Sequence, residues 1–212
     1  MGPSRKTVPL ILLLLFFALP WVQIAWAGPP TDQLRDGVDR MVAVLRDPAL
    51  RGETKVNERN AAVNRVANEI FDFGETAKQA LGQHWAKRTP AEHEEFVHLF
   101  TELLQHTYLS KVDQYNTEMT FQDDAVDGTQ AVVRTTLLLG KGGGMSLNYR
   151  MHYSQNRWQV YDVSINGISL LASYRSQFNK ILRTDNYEGL VARLKSRQLE
   201  VAASASRSAG GQ

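Results

Sequence analysis

Histidines, serines and one acid inside an apolar stretch are where this 212-residue chain could do chemistry. The segment "HEEFVH" at 93–98 has the composition of a zinc-protease helix. Its spacing excludes that chemistry: His93 and His98 stand five apart, about 140° around a helix, and a zinc pair on one face needs four. Glu94, His98, Glu102 and His106 instead recur every fourth residue, which makes a solvated stripe opposite an apolar face. "GKGGG" at 140–144 has no Ser or Thr after its lysine, so it reads as a hairpin loop and not a phosphate cradle. Serines are plentiful, but no Gly-x-Ser-x-Gly elbow occurs. With no cysteine there is no thiolate nucleophile and no Cys-based metal site.

That leaves Asp162, the one acid within "WQVYDVSI". An acid in apolar surroundings can act as a general base on a small hydrophobic substrate, with Tyr149, Tyr153 or Tyr161 as hydroxyl donor. The simpler alternative pairs it with Arg150 or Arg175.

The elements that must position these groups follow from periodicity. Asp32 is expected to cap a first helix with Leu34, Val38, Met41 and Leu45 inward, closed by Pro48. A second helix from about Thr54 turns Val56, Val63, Val66, Ile70 and Phe71 inward; Gly74 breaks it, and "ETAKQALG" forms a short helix to Gly82. Thr89, Pro90 and Glu92 spell a capping box opening a long helix whose stripe is Phe96, Leu99, Phe100, Leu103, Leu104, Tyr108 and Val112. The period then becomes two: "EMTFQ", "QAVVRTTLLL", "MSLNYRMHY" and "WQVYDVSI" read as an antiparallel meander. Asn166-Gly167 makes a turn, Ser169 caps a helix with Leu170, Leu171, Tyr174, Phe178, Ile181 and Leu182 on one face, and a last helix spans about 187–199. Helices first, strands next and helices last predict an α+β fold, with helices packed against a curved antiparallel sheet.

The ends differ from this body. Arg5 and Lys6, the apolar run 8–19 and "AWA" at 25–27 predict a secretory signal peptide (residues 1–27) cleaved after Ala27. One domain is expected over residues 28–200 and a disordered tail over 201–212. Two of the 24 Lys and Arg fall in the leader, so cations then equal the 22 acids, and no basic excess points to nucleic acid.

Four segments carry a family resemblance: "IFDFGETAKQALGQHW" at 70–85, "RTPAEHEEFVHLFTELL" at 88–104, "YDVSINGISLLASYRSQFNKIL" at 161–182 and "LRTDNYEGLVARLKSR" at 182–197. Together they resemble MlaC-type proteins, periplasmic phospholipid-binding auxiliary components of a lipid ABC transporter, also known from toluene tolerance. The resemblance spans about residues 32–198. It implies a cone related to the NTF2-like fold with an internal apolar pocket, no catalytic residues, and no cofactor beyond bound phospholipid. The implied partners are an outer-membrane lipoprotein–porin complex and an inner-membrane lipid ABC transporter with an MCE subunit, acting in outer-membrane lipid asymmetry. Hopanoid carriage is the neighbouring alternative.

On that footing, Met145, Leu147, Tyr149, Met151 and Tyr153 would floor the pocket with Leu137, Leu139, Val160, Val163 and Ile165. Phe96, Phe100, Leu103 and Leu104 would form the opposite wall. Arg175 would pair with Asp162 or touch a headgroup phosphate near the mouth.

Overall fold

A computed structural model of the chain describes residues 29–109, 118–139 and 143–196. The expected signal peptide, Val112 and the expected tail lie outside them. The helices are α1 (Pro30–Arg46), α2 (Val56–Ile70), α3 (Phe73–Leu81), α4 (Pro90–Tyr108), α5 (Leu170–Thr184) and α6 (Tyr187–Lys195). The strands are β1 (Met119–Asp127), β2 (Gln130–Leu139), β3 (Gly143–Ser154), β4 (Arg157–Ile165) and β5 (Ile168–Ser169). They form one antiparallel sheet in sequence order.

Tight turns set the strand pairing. Gln155 and Asn156 (φ 50° and 61°) join β3 to β4, and Asn166 and Gly167 (φ 49° and 83°) join β4 to β5. Paired positive φ values at a two-residue loop match the right-handed strand twist. Asn166 hooks its turn back onto β3, donating N–H to the Ser146 carbonyl and accepting from Ser146 N at Oδ1. Opposed residues in an antiparallel pair share a face. One face therefore carries Ala131, Met151 and Val160, then Val133, Tyr149 and Val163, then Thr135, Leu147 and Ile165, and finally Leu137 with Met145.

In β4 the register slips: Arg150 faces Asp162 while Met151 faces Val160, leaving Tyr161 as an extra, bulged residue. The bulge turns Tyr161 to the other face, where its hydroxyl donates to Gln130 and its ring meets His152. Residues 159–162 are buried consecutively, so the strict alternation of a half-exposed strand is lost there.

Helices lie against both faces of β4. α1 and α2 cover the Val133–Tyr149–Met151 face, with Leu34, Met41, Val63, Ala67 and Ile70 buried beneath them. The chain crosses the edge of β4 at Phe71 and Asp72, where Asp72 N–H donates to the Val160 carbonyl. α3 and α5 then pack beyond Tyr161, together with α4 and α6.

The helix starts refine the expectations. The Thr89–Glu92 capping box forms as its residues predict. Asp32 does not cap α1: Pro30 takes the first helical position after Pro29, which places Asp32 inside the first turn. Gly74 does not break a helix but sits in the first turn of α3, capped by Asp72. Val56 begins α2 on its solvent side at 37% exposure, and Phe71 leaves the helix to bridge β4.

Close approach of α1 to α2 depends on Gly37, where an added Cβ would lie 2.6 Å from Ile70 Cγ1. Gly37→Val is expected to cost about 1–3 kcal/mol through overpacking. Urea denaturation should show a smaller cost for the same change in an Ile70→Ala background.

Candidate functional site

Asp162 is 4% exposed, and both of its oxygens are engaged. Oδ2 accepts from Ser169 Oγ at 2.7 Å and Oδ1 from the Leu171 N–H at 3.0 Å, while Ser169 Oγ also accepts from Ala172 N. An acid on β4 thus satisfies the first turn of α5, with the helix dipole favouring its charge. The expected pairing with arginine does not form. Arg150 stands opposite Asp162 in register, yet its guanidinium lies over the Tyr161 ring, 5.3 Å from the centroid. Arg175 is exposed and donates from Nε to the Gln79 carbonyl at 2.8 Å, which tethers α5 to the end of α3. Asp162 is an architectural acceptor.

A second polar hub fixes α3. Asp72 caps it through Oδ1 to Glu75 N and meets His152 Nε2 at 3.0 Å through Oδ2. Thr76 Oγ1 donates to the Tyr161 carbonyl across the same boundary. His93 stacks on Trp85 at 3.7 Å and engages its carbonyl oxygen, whereas His98 lies exposed beside Glu102.

The apolar candidates separate into two groups. Phe96, Phe100 and Leu103 join the helical cluster, which reaches the sheet at Tyr161 and not on the Tyr149–Met151 face. The Phe96 and Phe100 rings pack with Tyr174 and Phe178 of α5 at separations of 5.1–5.9 Å. The expected wall of α4 against a sheet floor is therefore replaced by α1 and α2 over that floor. The reason is the bulge and the crossing at Phe71–Asp72, which put α2 and α3 on opposite sides of β4. Tyr149, Met151 and Val160 are buried in the sheet cluster by this cover.

Burial relaxes toward the far end of the same sheet face. Leu147, Val163, Ile165, Leu137 and Met145 are half-buried; Leu104 on α4 is half-buried too, but against the helical cluster. Leu139 belongs to β2, and its side chain lies outside the described set. Tyr153 sits at the near end, its ring 5.4 Å from Trp158. Two residues absent from the sequence-based lining join this region: Phe121 on β1 and Leu109 just past α4 both pack against the sheet cluster. Phe121 sits in a five-residue run too short to orient from its pattern, and Leu109 falls where the helical stripe ends. What the arrangement offers is an apolar strip from the closed Tyr149–Met151 end toward half-open leucine, valine and isoleucine side chains. It has the chemistry to hold hydrocarbon.

Burial raises the tyrosine phenols in both clusters. Tyr149 is pushed up to about 12, with a Thr135 hydrogen bond acting in the opposite direction. Tyr187 also rises to about 12, through burial and then the nearby charges of Glu92 and Glu95. Tyr174 and Tyr108 shift upward for the same first reason.

A family model described as MlaC protein matches residues 35–196. The Toluene tolerance protein ttg2D of Pseudomonas putida is 24% identical over 196 residues, 87% of this chain and 91% of the relative. Among solved structures, a phospholipid-binding protein from Ralstonia solanacearum, determined in complex with a phospholipid, superposes with a TM-score of 0.69. It is 30% identical, over 80% of this chain and 97% of that one.

Two outcomes follow from the site's geometry. Asp162→Ala should lower stability by about 2–3 kcal/mol by leaving the buried Leu171 N–H unpaired, measured by urea denaturation. For the phenols, a folded pKa above the unfolded value means stability is complete below pH 10 and falls as pH rises toward 12. Alkaline unfolding followed by circular dichroism should be shallower in Tyr149→Phe.

Proposed function

The chain belongs to the MlaC protein family, and from that membership we propose that it is a phospholipid carrier of the periplasm. The observation that carries this reading is its likeness, at 30% identity across 97% of that chain, to a protein solved with a phospholipid in complex. The half-buried strip of Leu147, Val163, Ile165 and Leu137 supports it, since this surface can exchange contact with solvent for contact with acyl chain.

The energetics suit a shuttle. A methylene leaving water gains about 0.8 kcal/mol, so a chain of some fifteen opposes its own transfer through water by roughly 12 kcal/mol. A protein that lends a comparable apolar surface removes most of that barrier, and rotatable side chains such as Leu and Met let the ligand leave again. Donor and acceptor are the outer-membrane lipoprotein–porin complex and the inner-membrane lipid ABC transporter with its MCE subunit. Direction comes from those partners, and ATP is hydrolysed there. Export through the expected leader at 1–27 would put the carrier between the two membranes.

An enzymatic reading on Asp162 is disfavoured by geometry, because both carboxylate oxygens already hold the start of α5. A base that moved to take a proton would release that helix.

Protein purified from the periplasm should carry phospholipid near one-to-one by native and then denaturing mass spectrometry. Leu147→Asp or Val163→Asp should reduce that content about tenfold or more, because a carboxylate would face hydrocarbon. Hopanoid in place of phospholipid would move the ligand class. Folded wild-type protein that is empty, and takes nothing from vesicles, would refute the carrier.

A further inference from the structure

On the side of the molecule away from the apolar strip, α3, the 3₁₀ segment Gly82–Lys87 and α5 enclose a cleft of about 520 Å³. Lys78 and Arg175 stand in its wall with no acid among the lining residues. Glu75 beside the cleft pairs with Lys78 at 3.4 Å and holds the Gln79 amide, which leaves Gln83 and Asn179 as the amides that face a ligand. The surrounding elements share this sign. α5 carries Arg175, Lys180 and Arg183 and no acid, and the stretch from α3 through Lys87 carries Lys78 and Lys87 against Glu75 alone. A chain with near-equal charges overall thus carries a local cation excess on these elements.

The cleft is built as well as charged. Trp85 lines it and is held flat against His93, with the rings 8° from parallel. Arg175 is fixed by its Nε bond to the Gln79 carbonyl and remains exposed. Gly82 turns the chain at φ 56°, a conformation that suits glycine, and keeps the cleft open where α3 ends.

We propose that this cleft is the docking site for an acidic segment of a partner protein. Carboxylates would meet Arg175 and compete with Glu75 for Lys78, the Gln83 and Asn179 amides would bond the partner's backbone, and an apolar residue would lie on Trp85. The inference rests on the carrier reading for its purpose, because a carrier must recognise what it loads from or delivers to. Its chemistry rests on the cleft alone. A membrane surface fits less well. Headgroups present a broad flat array, whereas this site is a recess, and none of the exposed large apolar residues Val56, Val126, Leu138 and Ile168 that could enter a bilayer lines it.

The test titrates lipid-loaded full-length mature protein with acetyl-(Glu-Leu)₃-amide and follows proton–nitrogen correlation spectra. Saturable shifts are expected at the Trp85 indole N–H and the side-chain amides of Gln83 and Asn179. Lys78→Glu and Gln83→Glu should each weaken the peptide about tenfold, and Lys78→Arg should restore it. Both positions are solvent-facing, and neither substitution touches the Arg175–Gln79 bond. Absence of saturable shifts would overturn the proposal, as would equal binding of acetyl-(Lys-Leu)₃-amide or indifference to Lys78→Glu. Lys78-dependent binding to phosphatidylglycerol vesicles without peptide binding would overturn it in favour of a membrane surface. Phospholipid content, measured on the same samples, reports separately on the carrier reading: its absence strikes that reading and leaves the peptide result to judge the cleft.

Discussion

Two helical layers of this protein share one strand, and the extra residue in β4 is what lets them. Without the bulge at Tyr161, Val160 and Tyr161 would alternate in step with β3, and one would meet the wrong neighbours. With it, Val160 stays beside Met151 under α1 and α2, while Tyr161 and Asp162 turn to α3 and α5. A bulge bends a strand and re-aims its side chains at little cost when the displaced groups find partners. Here they do: the Tyr161 carbonyl accepts from Thr76, its hydroxyl bonds Gln130, and Asp162 takes the first turn of α5.

This division of labour bears on lipid carriage. The aromatic cluster of Phe96, Phe100, Tyr174 and Phe178 is closed upon itself, with edge-to-face contacts that define its packing. It anchors α4 and α5 and leaves little surface for anything else. The sheet face is graded instead, closed at Met151 and half-open at Leu147 and Val163. A rigid half beside a half-open one is the arrangement a reversible carrier needs, since binding energy can be gained without rebuilding the core.

The candidate site was legible in its chemistry more than in its geometry. Alternation in "MSLNYRMHY" correctly grouped Leu147, Tyr149 and Met151 on one face, because a strand's side-chain period is two wherever the register is regular. The helical stripe of α4 likewise picked out the buried Phe96, Phe100 and Leu103, while Leu99, Leu104 and Tyr108 are half-buried and the buried Thr107 fell outside it. What neither pattern encoded is the partner of each face. A stripe says that something apolar covers it and is silent on whether that is a sheet or another helix. Asp162 shows the same limit: its burial was apparent from an apolar run, but the donors came from Ser169 and Leu171, not from an arginine. Leu109 and Phe121 escaped notice because each lies where a periodic signal stops.

The sequence by itself determined the α+β order of elements, the capping box at Thr89, the turn at Asn166-Gly167 and the family to which the chain belongs. These are local: each depends on residues within a few positions, or on their order along the chain. Only the tertiary structure decided that α1 and α2 cover the sheet, that α4 packs on α5, and that Arg175 ties to Gln79. Those outcomes turn on one unpaired residue in β4 and on a chain crossing at Phe71–Asp72. A bulge leaves no periodic trace of its own, because a strand buried on both faces reads as a continuous apolar run whether or not its register slips.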